Sequence, residues 1–386
     1  MGLDQPATSG LSRQFTLVNR DHFPRQNTLD MAKPSQLVVA PGTALEPRPK
    51  PAYFAVDQRV ADPEKELRLR FETFVETRLG PSFLLSIPGG SVLTQGFFVA
   101  DQDDNLLVDS FRAYGQVGRY GFNEIKPRVV QRNFPPSIPQ RGSAIVLGIQ
   151  TNANYFHWLM EALPRLWLAN RFESLGKSVV LVPDLTPWMR DMLTATDVKP
   201  GRLALLSAEA TSWETLAMPS RGLANIHTFT WHALQLMDML RARVKNLAAG
   251  AGRRLFVSRS KSASRQIENE DEVFAIAETY GFTRVFPQDL NFNDQLALFA
   301  GAEAVAGALG AGLANAAFLA PGGALIEFAP EQREGDAVLF ANLAHHRGLR
   351  YAGVVGPFCG DQNRAFDRRN FLIPTAAAAD AFAAIA

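Results

Sequence analysis

The rhythm of apolar and polar positions changes twice along this chain. Residues 1–35 are polar, with scattered Arg, Asn and Pro and no sustained period, which predicts a tail or an irregular lead-in. "QLVVA" at 36–40 reads as the first strand, and the Pro-rich "PGTALEPRPKP" as a connection. Short apolar runs follow, "FLLSI", "GFFVA" and "NLLVD", separated by turn residues, and they predict a patch of hairpins with "ADQDDN" as one of the turns. From Ser143 the texture alternates: "AIVLGI", a helical period over 154–171, "SVVLVP", "PWMRDMLTA" and "RLALL" alternate strand and helix as in a parallel sheet. A long amphipathic stretch, 228–247, ends near Gly250 and Gly252, where helix caps and linkers fall, so the domain boundary is placed there.

The second half repeats the alternation. "RRLFVSR" predicts a strand and 269–280 a helix that stops at Gly281; "TRVFP" is the next strand. Asn291, with Asp294 three residues on, marks a capped helix start before "QLALFAGA". "AVAG" and "GALIEF" are strands on either side of the Gly/Ala-rich "ALGAGLANAAF". The order β-α-β-α-β-α-β winds into a parallel sheet whose ligands sit at the carboxyl ends of the strands. The predicted division is therefore a lead-in at 1–35, an N-terminal α/β domain with the hairpin patch at 36–248, a C-terminal α/β domain at 253–372 and an Ala-rich helix at 373–386.

Composition adds bounds. At 386 residues the chain is long for one core, and two domains are expected, with a cleft. Hydrophobic residues at 47% and charged residues at 20% are the balance of a globular protein. A net charge of +1 gives no global field for nucleic acid or an anionic membrane, so any anion site must be local. The single cysteine, Cys359, can form no intrachain disulfide, and with no apolar leader or spanning run the expectation is a reducing, cytoplasmic setting.

The candidate chemistry lies in the loops. Between the "AVAG" strand and the next helix, Gly310, Ala311 and Gly312 leave backbone N–H groups at a helix start, where a phosphate fits; a tight turn allowing close packing accounts for the same glycines. The spacing is neither GxGxxG nor a P-loop. Glu327, read at the carboxyl end of "GALIEF", suits the hydroxyls of a ribose or a solvated strand end. Arg259, Lys261 and Arg265 follow a strand directly and suit a diphosphate, or else a solvated basic loop. In "NYFHWLMEALPRLW", His157 and Glu161 are four apart on one helix face, able to supply a general base or simply to pair with each other. Asp101 and Asp103 form a DxD, but its place between two apolar strands favours a hairpin turn, and no metal is assigned. "AHHRG" at 344–348 reads equally as a solvated helix end or part of a site.

Taken together, "NYFHWLMEALPRL", "VSRSKSASRQIENEDEV", "LNFNDQLALFAGAEAVAGALGAGLANAAF" and "GGALIEF", in this order and spacing, resemble glycosyltransferase family 61, a group similar to bacterial capsular polysaccharide biosynthesis proteins. The resemblance covers roughly 145–330. It implies a GT-B-like fold of two facing Rossmann-like domains with a cleft, and inverting transfer of a sugar from a nucleotide sugar, a UDP-sugar favoured, to a glycan or polysaccharide, without a cofactor or metal. It also implies that Arg259 and Arg265 hold the diphosphate with the amides of Gly310 to Gly312, that Asn315 stabilises the loop and Glu327 the ribose, that Glu161 or His157 is the base, and that the C-terminal helix packs back across the cleft. No nucleic-acid partner is expected, and peripheral association with a membrane polysaccharide assembly is compatible with the family. The family usually reads His-Gly-Ala where this chain has Leu309-Gly310-Ala311, and leucine offers no donor, acid or base. A catalytically silent glycan- or nucleotide-binding relative is therefore the alternative, and a dinucleotide-dependent oxidoreductase is disfavoured by the missing fingerprint.

Overall fold

The computed structural model describes residues 13–18, 20–26, 31–40, 52–56, 59–67, 78–93, 97–110, 129–132, 136–149, 153–206, 209–224, 228–245, 247, 251–331, 338–360, 363–365 and 368–385. The fold is mixed α/β, and the chain divides into two compact units: Met1–Pro41 with Pro81–Gly222, and Gly42–Gly80 with Leu223–Ala386. The second unit thus takes in 42–80 and 223–248, which the sequence pattern had assigned to the first domain.

Among the described residues, the first unit is built on a twelve-stranded mixed sheet. Its parallel part runs Leu203–Leu205, Val179–Val182, Ile138–Val146, Thr211–Pro219, with a helical segment after Ile138–Val146 and another, Pro187–Ala195, after Val179–Val182. Ala144, Ile145 and Val146 are wholly buried, which is why this stretch reads as a continuous apolar run rather than an alternation. Thr211–Pro219 then pairs antiparallel with Ser82–Pro88 and Ser91–Leu93, leading into the hairpins. In one of these, Phe98–Ala100 and Asn105–Leu107 are joined by the "DQDD" turn. There Asp101 Oδ1 accepts from the amides of Asp103 and Asn105 at 2.9 Å, and Oδ2 from the Asn105 side chain at 2.8 Å. The Asp101 carboxylate thus closes its own turn, with His22 Nε2 3.4 Å from Oδ2.

The lead-in holds more order than its composition suggests. Arg13–Val18 is a strand between Asn105–Leu107 and Val129–Arg132, and Arg25–Gln26 pairs with Ser35–Ala40. Arg25–Gln26 pairs nearby, but the partners of Arg13–Val18 begin at Asn105, far along the chain, and local pattern carries no trace of such pairings. Residues 1–12 and the Pro-rich 41–51 lie outside the described residues.

In the second unit six strands among the described residues pair in parallel throughout, in the order Phe282–Val285, Arg254–Val257, Ala304–Ala308, Ala324–Pro330, Arg350–Gly356, Ala52–Val56. The Asn291 side chain caps Phe292–Gly301 through the Asp294 amide at 2.9 Å, as its spacing predicted. The helix expected over 228–247 is shorter, Trp231–Ala242. One sheet face, with Phe256, Ile326, Phe328 and Val354, packs under the helices Glu270–Thr279 and Thr375–Ile385. The Ala-rich C-terminal helix thus buries its apolar face on the core of its own unit, where Phe382 meets Phe282, Phe328 and Tyr280 at centroid distances of 5.0, 5.9 and 5.8 Å. Phe382→Ala should cost about 3–5 kcal/mol of stability, read by chemical denaturation.

Candidate functional site

The chemistry of the first unit gathers on the segment that follows Ile138–Val146. Asn154 starts it, its side-chain oxygen accepting from the amides of Phe156 at 2.9 Å and His157 at 3.4 Å. The segment is α-helical over Tyr155–His157, a π turn over Trp158–Ala162, and α-helical again over Leu163–Ala169. Pro164 supplies the physical reason for the π turn. It has no N–H for the carbonyl of Met160, so the chain widens, and Leu163 N–H bonds back to the Trp158 carbonyl. Gly222 passes directly over this spot: a Cβ there would lie 1.9 Å from Met160 O and 2.7 Å from Pro164 Cγ. Its amide donates to the Glu161 carbonyl at 3.2 Å.

On this frame His157 Nδ1 and Glu161 Oε1 are 2.6 Å apart, and Arg221 Nη1 donates to Glu161 Oε2 at 3.3 Å. Both carboxylate oxygens are engaged, and the Glu161 side chain is 2% exposed against 11% for His157. With Glu161 charged, the short contact is Nδ1–H donating to the carboxylate, which orients the imidazole ring.

Sequence reasoning missed the rest of this cluster. Arg165 is 1% exposed, with Nη1 donating to the Gly148 carbonyl at 2.9 Å and with Nε and Nη2 meeting no acceptor among the described residues. Burial, reinforced by Arg221, pulls its pKa down to about 9, while Glu161 and Asp109 oppose the shift. Asp109 is pushed up by burial, against the pull of Arg20, whose amide donates to Oδ2 at 2.7 Å. A signal for Arg165 was present, since 157, 161 and 165 repeat at a spacing of four. Arg221 and Asp109 arrive only through the fold.

In the second unit the chain leaving Arg254–Val257 enters the basic loop. Arg259 turns back on that loop, Nε donating to the Arg265 carbonyl at 3.2 Å and Nη2 to that of Ser264 at 2.9 Å. Its Nη1 lies against Gly310, where a Cβ would come within 2.1 Å. Burial first, then Arg265, lowers the Arg259 pKa to about 10, with Glu270 opposing. The glycines sit at close approaches: Gly310 admits the guanidinium, Gly312 lies against Val257 Cγ1, and Gly307 admits the Val257 backbone carbonyl, where a Cβ would come within 2.8 Å. After Gly310 comes an eight-residue 3-10 helix, Ala311–Phe318, whose first amides have no partner within the helix. Asn315, fully buried, donates to the Gln295 side chain at 3.0 Å and to the Gly312 carbonyl at 3.3 Å, tying the turn to the neighbouring helix. Leu309 is buried, its amide bonded to the Phe328 carbonyl at 2.8 Å. Lys261 pairs with Asp289 and lies 4.2 Å from the centroid of the Phe286 ring.

Glu327 is placed differently from its reading. The strand continues to Pro330, so Glu327 sits in mid-strand between Gly307 and Gly353, 2% exposed, with the Tyr351 hydroxyl donating to its carboxylate. This bond is made inside the sheet. In the "AHHRG" stretch, His345, His346 and Arg347 are buried rather than solvated, His346 edge-on to Phe229 at 5.5 Å.

Residues 155–326 match the family model Glycosyltransferase 61. This is the family that the motifs resemble, and the matched segment opens at the His157 helix and runs through the Arg259 loop and the Gly310 turn to Ile326. No curated protein matches the chain. Within the glycosyltransferase 61 segment the structure brings together His157 with Glu161, Arg259 with Arg265, and Gly310 with Arg259. Arg20, Asp109 and Glu327 fall outside it.

Proposed function

We propose that the protein is an inverting glycosyltransferase that moves a sugar from a nucleotide sugar, a UDP-sugar first among candidates, to a hydroxyl of a glycan or polysaccharide. The family match supports glycosyl transfer. The observation that carries the mechanism is the buried chain Arg221–Glu161–His157, in which one carboxylate is consumed in orienting one imidazole. In the proposed step the acceptor oxygen attacks the anomeric carbon, its proton passes to His157 Nε2, and the bond from that carbon to the diphosphate oxygen breaks with its electrons leaving on the diphosphate. Within the second unit, Arg265, the Nη1 of Arg259 and the amides at Ala311 and Gly312 are the groups suited to a diphosphate's charge, electrostatics that a metal provides elsewhere. The engagement of Asp101 in its own turn is consistent with metal-independent transfer.

A second reading rests on Leu309. A buried leucine at the position of the family histidine removes a donor, and the chain would then be a silent binder of nucleotide or glycan. Release of nucleoside diphosphate from a panel of nucleotide sugars, with and without glycan acceptors, separates the two. Turnover by the natural chain is expected. No turnover from the natural chain together with turnover from Leu309→His would establish the silent reading.

A further inference from the structure

We infer that Glu270 is the positioning residue of the donor site, holding Arg259 so that its guanidinium supports both the Arg265 turn and the Gly310 turn. This inference rests on the reading of the second unit as the nucleotide-sugar site. Glu270 is the first residue of the helix Glu270–Thr279 and is 5% exposed. Its Oε2 accepts from the Arg259 amide at 2.9 Å, and its Oε1 from the Ser258 hydroxyl. Ser258 in turn donates its amide to the Val285 carbonyl at 3.0 Å. The chain is therefore gripped at two successive residues where it leaves the strand.

From that grip the order passes outward. The Arg259 backbone is fixed by Glu270, and its side chain is fixed by the carbonyls of Ser264 and Arg265. Arg265 has φ +54°, a conformation that non-glycine residues adopt only uncommonly, and the bond from Arg259 Nε to its carbonyl helps hold it there. With the other two nitrogens committed, Nη1 has one place to go, which is Gly310. Glu270 acts through Arg259, touches no substrate, and also favours the charged guanidinium against burial.

The test is calorimetric titration of UDP and of GDP into the full chain and its variants, with steady-state kinetics alongside. Glu270→Gln leaves one acceptor oxygen for two donors and should weaken nucleoside-diphosphate binding and raise donor KM about tenfold or more. Acceptor KM should stay unchanged, and Glu270→Asp should recover part of the loss. A loss shared equally between donor and acceptor KM would be general damage and would overturn the inference. Wild-type binding matched by Glu270→Gln would overturn it while leaving the donor-site reading intact. No binding of either nucleotide by the wild type would overturn both. Should Glu270→Gln fail to fold, Ser258→Ala removes one of the two grips and should weaken binding about threefold or more; unchanged affinity there would also refute the role.

Discussion

His157→Ala is expected to slow sugar transfer about 10²–10⁴-fold, the range for removal of a positioned general base, with nucleoside-diphosphate affinity unchanged. The expectation follows from the division of labour at the pair. Glu161 is sealed between His157 Nδ1 and Arg221, so it cannot take over a proton from an acceptor without first breaking both bonds. Glu161→Gln preserves shape but presents an amide to Nδ1 and to Arg221, which disturbs both the tautomer and the charge balance; its loss of kcat should lie between wild type and His157→Ala. Steady-state rates of nucleotide release measure both. Equal rates for wild type and His157→Ala would remove His157 from the chemistry.

Gly222→Ala is expected to have the largest effect on stability among single methyl additions near this pair. The added Cβ would meet a backbone carbonyl, Met160 O, and the ring of Pro164, neither of which can rotate away. A cost at the top of the usual overpacking range, about 3 kcal/mol, corresponds to a Tm lower by roughly 6–12 °C. Because Gly222 also donates to the Glu161 carbonyl, the shift that relieves the clash moves the π turn carrying Glu161, and turnover should fall with stability. Gly201→Ala, with nothing within 4 Å of the added carbon, is the control that should change neither. Calorimetric melting of the two variants decides it.

Much of this was legible where the cause is local. The alternating strand and helix signals of both halves, the Asn291 cap, the Asp101 turn and the shared face of His157 and Glu161 all follow from spacing within about ten residues. What escaped depends on partners distant in sequence. Ala52–Val56 becomes the edge of the second unit's sheet by pairing with Arg350–Gly356, nearly three hundred residues later. Arg221 and Asp109 reach the neighbourhood of Arg165 by the same kind of closure. Glu327 was misplaced because the apolar run "GALIEF" ends at Phe328, whereas the strand and its pairing with Arg350–Gly356 carry on to Pro330. The π turn had a visible cause, Pro164, whose consequence depends on what occupies the freed carbonyl's side, and that is Gly222.

The glycines of "ALGAG" admit packed neighbours: the Arg259 guanidinium at Gly310 and Val257 at Gly312. The most direct test of the account is the melting temperature of the purified chain with UDP, GDP or NAD, because a ligand bound only by the folded state stabilises it, by about 2.7 kcal/mol at a hundredfold excess over Kd. The account predicts a rise with a nucleoside diphosphate, its loss in Arg265→Ala, and no response to NAD. A flat response to both UDP and GDP, or a rise with NAD alone, would contradict it.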